Sequence, residues 1–137
     1  MKYFNVRLLA MSLVLFVSQT VSASIDPAAP SASHHLESAA AAMHEYLHHH
    51  YDSSYGSHDL EIAADELHGV LHDWSDGNAT EAEVVMSEEV LKRAWNSFRQ
   101  SIIPAGVLNA GDTGLDTLYE TVKEEYKALR FLLRKAK

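Results

Sequence analysis

Apolar residues recur at alternating spacings of three and four over most of the chain after residue 33, and no segment alternates with a strand's period of two. This pattern predicts four amphipathic helices, near residues 34–51, 57–76, 80–103 and 113–136. Helices of this length with short connections pack most simply around one shared core. We therefore predict an all-α fold, an up-down-up-down four-helix bundle.

Turn and capping residues mark the predicted helix ends. Ser33 is expected to cap the first helix. Gly77 should stop the second, and the spacing of Thr80 and Glu83 is that of a capping box at the start of the third. Pro104 should end that helix. We detect no internal repeat among the four helices.

The first 23 residues are typical of a secretory signal peptide. Lys2 and Arg7 precede an apolar stretch of ten residues, and the small residues before position 24 suit cleavage after Ala23. Ten apolar residues are too few to cross a membrane, which takes about 20, so no transmembrane helix is expected in the mature chain. The location predicted is periplasmic or secreted. The predicted organisation is a signal peptide over 1–23, a flexible lead over 24–33 and the bundle over 34–137.

The amino-acid composition excludes several classes of function for this chain. The chain has 137 residues and no cysteine, which excludes disulfides, thiolate metal sites, CxxCH haem attachment and cysteine nucleophiles. With 11 basic and 19 acidic residues the formal net charge is −8, which argues against a nucleic-acid partner. Apolar residues make up 47% of the chain, enough for a single core.

Charge and histidine are unevenly distributed along the chain. Residues 24–91 contain 14 acidic residues and no lysine or arginine, whereas residues 92–137 contain 9 basic and 5 acidic residues. All nine histidines lie between His34 and His72. Attraction between the two halves explains the charge pattern in part but does not explain why histidine stays in the acidic half. Acidic neighbours favour both protonated imidazole and a bound metal cation, which imidazole and carboxylate ligate together.

Two pairs of histidines have the i, i+4 spacing that places them on one helix face, and acidic residues flank both pairs. Folding the first two helices into an antiparallel hairpin about a turn near residue 54 sets the two flanks against each other. The sequence therefore predicts two mixed patches that bind divalent Cu, Zn or Ni, for metal buffering or sensing. Their predicted ligands are His44, His48, Glu61 and Asp65 in one patch, and Glu37, His68 and His72 in the other, with His34 or His35 close to the second.

Other functions remain open. The main alternative is a periplasmic protein-interaction or envelope-stress module without metal, tuned by histidine protonation, so the predicted partner is either a metal ion or an envelope protein. A b-type haem is disfavoured because only His50, Met43 and Met86 offer axial ligands. The segment from His44 to His48 resembles the zincin signature over five residues, which would imply two zinc ligands and a general base. No obvious third zinc ligand follows this segment, and no serine lies in a nucleophile elbow. We therefore expect no enzymatic activity. The oligomeric state is not predicted.

Overall fold

The computed structural model describes residues 26–51, 56–105 and 113–135, without the side chains of 102–105 and 113. These residues form four helices and no strand, which confirms the all-α prediction. The helices are α1 (Ala29–His50), α2 (Ser57–Ser75), α3 (Glu81–Ala105) and α4 (Thr113–Lys135). The predicted signal peptide, most of the turn near residue 54 and the loop after α3 lie outside the described residues.

α1 starts earlier than the apolar pattern indicates. It begins at Ala29, so the second half of the expected flexible lead over 24–33 is helical. Pro30 stands in the first turn, where a missing N–H leaves no hydrogen bond unmade. The Asp26 side chain accepts a hydrogen bond from the Ala28 N–H at 2.9 Å, and its carbonyl accepts one from the Ala29 N–H at 2.8 Å. Asp26 thus supplies acceptors at the helix start that the periodicity does not reveal.

Of the residues predicted to cap the starts of α1 and α3, the one for α1 is wrong and those for α3 are confirmed. Ser33 does not cap α1; it lies inside the helix, 1% exposed, and its hydroxyl makes no hydrogen bond within the described residues. The box before α3 is present. The Thr80 N–H and hydroxyl donate to the Glu83 carboxylate at 2.6 and 2.8 Å, and the Glu83 N–H donates to the Thr80 hydroxyl at 3.3 Å. The Thr80 N–H holds the pKa of Glu83 below its ordinary value.

Gly77 ends α2 as predicted, in a left-handed conformation with φ of 79°. Its N–H donates to the Trp74 carbonyl at 3.1 Å, and the Asn78 N–H donates to the Asp73 carbonyl at 2.7 Å. These two bonds form a Schellman motif, in which glycine adopts the positive φ without the steric cost of a Cβ.

One hydrophobic core runs through all four helices. The predicted apolar positions are buried on each helix, with Leu36, Met43 and Leu47 on α1 almost fully enclosed. The corresponding buried residues of the other helices are Leu60, Leu67 and Leu71 on α2, Val84, Leu91 and Phe98 on α3, and Leu115, Val122 and Leu129 on α4. Burial of these side chains is the main term that stabilises the fold.

α1 packs against α2 and α4, and α2 also packs against α3. Large side chains connect α3 with α4: Trp95 and Tyr119 stack with ring centroids 4.0 Å apart, and Arg99 donates to Asp116 at 3.3 Å. None of the described helices is both long enough and apolar enough to cross a bilayer. Phe131 on α4 is a large apolar side chain that is exposed.

Candidate functional site

A carboxylate on α2 lies among three imidazoles. Glu61 Oε1 is 2.9 Å from His48 Nδ1 and 3.6 Å from His44 Nε2, both on α1. Its Oε2 is 3.8 Å from His58 Nδ1, one turn earlier on α2. We call these four residues, Glu61, His44, His48 and His58, the Glu61 cluster.

A second carboxylate, on α1, has the same kind of surroundings. Glu37 Oε1 is 3.4 Å from His72 Nδ1 and 3.6 Å from His68 Nε2, both on α2. Its Oε2 is 3.5 Å from His34 Nδ1, one turn earlier on α1. These four residues, Glu37, His34, His68 and His72, are called the Glu37 cluster.

The hairpin pairings expected from the sequence occur in the structure. His48 lies against Glu61, and Glu37 lies against His72. His44 also faces Asp65, at 3.9 Å. All seven predicted site residues therefore lie in or beside the two clusters.

The sequence analysis did not predict one histidine of the Glu61 cluster and left the choice between two histidines of the Glu37 cluster open. His58 was not predicted, although it stands three residues before Glu61, as His34 stands before Glu37. Between the two candidates for the Glu37 cluster, the structure brings in His34. His35 instead faces Glu125 of α4 at 3.9 Å. His34 stands three residues before Glu37, and this i, i+3 spacing is the sequence signal that distinguishes it from His35.

Two further carboxylates face the outer ring nitrogens of cluster histidines. Asp65 lies 3.9 Å from His44 Nδ1, while the other nitrogen of that ring faces Glu61. Asp76 lies 3.7 Å from His72 Nε2, and Nδ1 of that ring faces Glu37. A carboxylate on the second nitrogen of a histidine selects the tautomer and orients the ring.

The central carboxylates are more enclosed than the imidazoles around them. The Glu37 and Glu61 side chains are 16% and 21% exposed, whereas that of His48 is 63% exposed. The hydrogen bond with His48 holds the pKa of Glu61 below its ordinary value, against the opposing effect of burial, and the histidine charges lower it further by smaller amounts. The ionised form of the Glu61 carboxylate is thus favoured where three imidazoles converge on it.

The two clusters arise from an internal repeat, so the expectation of no repeat is wrong. Residues 33–48 and 57–72 align at an offset of 24 residues with nine of sixteen positions identical. The identical pairs are Ser33/Ser57, His34/His58, Leu36/Leu60, Glu37/Glu61, Ala39/Ala63, Ala40/Ala64, His44/His68, Leu47/Leu71 and His48/His72. Leucine and alanine positions of the repeat face the core, and its histidines and glutamate form the clusters.

In the described residues the clusters are ionic and hydrogen-bonded networks. No three His, Asp or Glu side chains within those ranges stand together as the ligands of one metal ion. In the Glu61 cluster the rings of His44 and His48 are 6.2 Å apart, tilted by 41°. Rotation of exposed imidazoles is therefore required before one ion can contact all the donors.

The other residues considered as cofactor ligands lie outside both clusters. Met43 is buried in the core, as expected, and Met86 is exposed on α3. The His50 ring stacks on Tyr46 with centroids 4.1 Å apart, and its Nδ1 is 3.0 Å from the Tyr46 carbonyl oxygen in the last turn of α1. Glu45, the acid of the zincin-like string, pairs with His49 at 3.3 Å and with none of the cluster histidines in the described contacts.

One buried acid lies outside both clusters. Glu88 of α3 is 8% exposed, and its burial raises its pKa, an effect that Glu89 increases and that Lys92 and Arg130 oppose. Burial, with the charge of Glu88, also raises the pKa of Tyr119 to about 12. These shifts disfavour charge in the core between α3 and α4 and do not create a reactive site.

Comparison with protein-family models, characterised proteins and solved structures finds no match for this chain. Its function is therefore inferred from the two clusters themselves.

Proposed function

We propose that this protein is an exported up-down-up-down four-helix bundle that binds a divalent transition metal at the α1–α2 hairpin, for buffering or sensing. The observation that carries the proposal is the convergence of three imidazoles from two helices on each central carboxylate, all within 3.8 Å. No reaction is proposed.

The bundle topology is supported by contacts that join opposite ends of neighbouring helices. His48 near the end of α1 meets Glu61 near the start of α2, and Arg99 late in α3 meets Asp116 early in α4. Export is supported by the charged, apolar and small-residue order of residues 1–23. An absence of cysteine suits a fold that holds together by its core alone in an oxidising compartment.

Metal binding is supported by the chemistry of the donor set. Imidazole nitrogen and carboxylate oxygen are ligands for Zn²⁺, Cu²⁺ and Ni²⁺, whereas Mg²⁺ and Ca²⁺ prefer oxygen alone. The surrounding segment has 14 acidic residues and no lysine or arginine, so its potential attracts cations. The two packed helices fix the backbone of the donor residues, so that metal binding has to order only their side chains.

Calorimetric titration of the purified chain with Zn²⁺ and Cu²⁺ tests the proposal. We expect binding at micromolar concentration or tighter, which a variant with His44, His48, His68 and His72 all changed to Ala loses. The control variant changes His35, His49 and His50 to Ala, which lie outside both clusters, and it should bind as the unchanged chain does. Heat no greater than that of an unrelated acidic protein would refute metal binding.

A second candidate is a metal-free interaction module whose surface changes with pH. The observation favouring it is the 2.9 Å bond between His48 and Glu61, which ties α1 to α2 through an imidazole, a group whose charge can change with pH. Capture of envelope proteins on the immobilised chain at pH 5.5 and 7.5 should then recover a partner at one pH only. The same set of proteins at both values would contradict this function.

A further inference from the structure

We infer that the hairpin holds two separate and equivalent metal sites, each with three imidazoles and one carboxylate, so that one chain binds two ions. This inference rests on the proposed function and adds the number of ions and the complete donor sets. It assigns His34 and His58 as ligands and removes Asp65 from the predicted ligand set.

Equivalence is visible atom by atom. In each cluster the glutamate Oε1 faces Nδ1 of the second histidine of an i, i+4 pair and Nε2 of the first, and its Oε2 faces Nδ1 of the histidine three residues before it. The Oε1 distances are 3.4 and 3.6 Å in the Glu37 cluster and 2.9 and 3.6 Å in the Glu61 cluster. The Oε2 distances are 3.5 and 3.8 Å.

An antiparallel hairpin turns the internal repeat into this local twofold arrangement. Each repeat supplies a His-x-x-Glu to one cluster and a His-x-x-x-His to the other, so that neither helix can form a cluster alone. The alanines and leucines of the repeat bring both helices into contact along the buried face. The same sequence unit, used twice in opposite directions, therefore yields two equal sites.

In each cluster the distances from the glutamate to the imidazoles are close to those between neighbouring ligands of one ion, although the side chains of the described residues are not oriented as a metal site. Metal–nitrogen bonds of about 2.0–2.1 Å in a tetrahedral site set neighbouring donors about 3.3 Å apart. Three of the four distances from a glutamate Oε1 to an imidazole nitrogen, 3.4, 3.6 and 3.6 Å, are close to this value. The remaining adjustment is rotation of side chains such as His48 and His72, both 63% exposed.

The two sites are too far apart to share an ion. On α1 the Glu37 cluster uses residues 34 and 37, and the Glu61 cluster uses residues 44 and 48. At about 1.5 Å of rise per residue the mean positions are separated by roughly 16 Å. Binuclear sites hold their ions about 3.5–4 Å apart, so each cluster binds its ion independently.

Asp65 and Asp76 act on these sites as positioning residues. Each faces the outer nitrogen of a cluster histidine whose inner nitrogen faces the central glutamate. Removing such a partner typically weakens metal affinity 10- to 100-fold without removing the site. Asp65→Asn should therefore weaken one site and leave the number of bound ions at two at saturating metal.

The experiment counts ions directly. The full purified chain is dialysed to equilibrium against a Zn²⁺ series, and bound zinc is measured by elemental analysis. We expect two Zn²⁺ per chain, one after His44→Ala with His48→Ala, and one after His68→Ala with His72→Ala. The control, His35→Ala with His49→Ala, should keep two. His58→Ala and His34→Ala should each weaken one site, and circular dichroism checks that every variant remains helical.

The outcomes separate this inference from the proposed function. One Zn²⁺ per chain, lost with one histidine pair and not the other, refutes two equivalent sites but leaves metal binding intact. A single ion lost with either pair refutes independent sites. No bound zinc refutes both. Loss of zinc from the control variant refutes the assignment of the ions to these two clusters but leaves metal binding intact. Unchanged affinity in both single variants, His34→Ala and His58→Ala, refutes the assigned donor sets.

Discussion

Changing Glu61 to Gln removes the charge at the centre of one cluster while keeping the size of the side chain. The carboxylate has imidazoles at 2.9, 3.6 and 3.8 Å, and its side chain is 21% exposed. An exposed or half-exposed ion pair contributes about 0.2–1 kcal/mol, and we take the larger value for the hydrogen-bonded His48 and about 0.3 kcal/mol for each of the other two. The expected loss of stability is about 1.5 kcal/mol when the imidazoles are protonated.

The loss should depend on pH in a defined way. Imidazole is protonated more fully as pH falls, so the ion pairs strengthen towards acid pH. Where the imidazoles are neutral, only the hydrogen bond remains, worth about 0.5 kcal/mol. Because the pKa of Glu61 is lowered on folding from 4.5, the contribution of its charge is complete above that pH and disappears as pH falls through the lowered value. The difference between the two proteins should therefore peak near pH 5.5.

Urea unfolding of metal-free protein at pH 3, 5.5 and 7.5 measures these differences. The matched control is Glu45→Gln, which removes the same charge from an exposed α1 residue that pairs with His49 in its own helix. We expect the control to change stability by less than about 0.5 kcal/mol. Equal losses for both variants at pH 5.5, or a larger Glu61→Gln loss at pH 7.5, would refute the reasoning.

Three other substitutions test the fold. Gly69→Ala should stabilise the protein by about 0.5–1 kcal/mol, because a Cβ there meets no atom within 4 Å and alanine favours the helix; a lower thermal midpoint would contradict this. Leu67→Ala should cost about 2–5 kcal/mol in urea unfolding, since the side chain is fully buried, and a cost below 1 kcal/mol would contradict this packing. Glu88→Gln should raise stability at pH 7.5 but not at pH 3, because burial raises the pKa of Glu88 and stability falls as pH rises through that range. Equal effects at the two pH values would exclude this cause.

Much of the fold follows from local pattern. The three-and-four spacing of leucines places four helices close to their observed bounds, because a core-facing stripe has the period of the helix itself. Thr80 with Glu83, and Gly77, could be assigned because a capping box and a left-handed glycine act within a few residues. The start of α1 was placed too late because its first turn depends on Asp26 and Pro30, and the Pro-Ala-Ser composition of this segment is typical of a linker.

The arrangement of the candidate site also follows only in part from local sequence pattern. The sequence by itself determined which histidines and acids share a helix face, because the i, i+4 spacing fixes those faces. It also contains the repeat that makes the clusters alike. Only the tertiary structure decided that both glutamates lie at the centre of a cluster and that Asp65 faces an outer nitrogen. Those facts depend on how two helices pack side by side and on which rotamers that contact permits, and neither distance along the chain nor residue type specifies them.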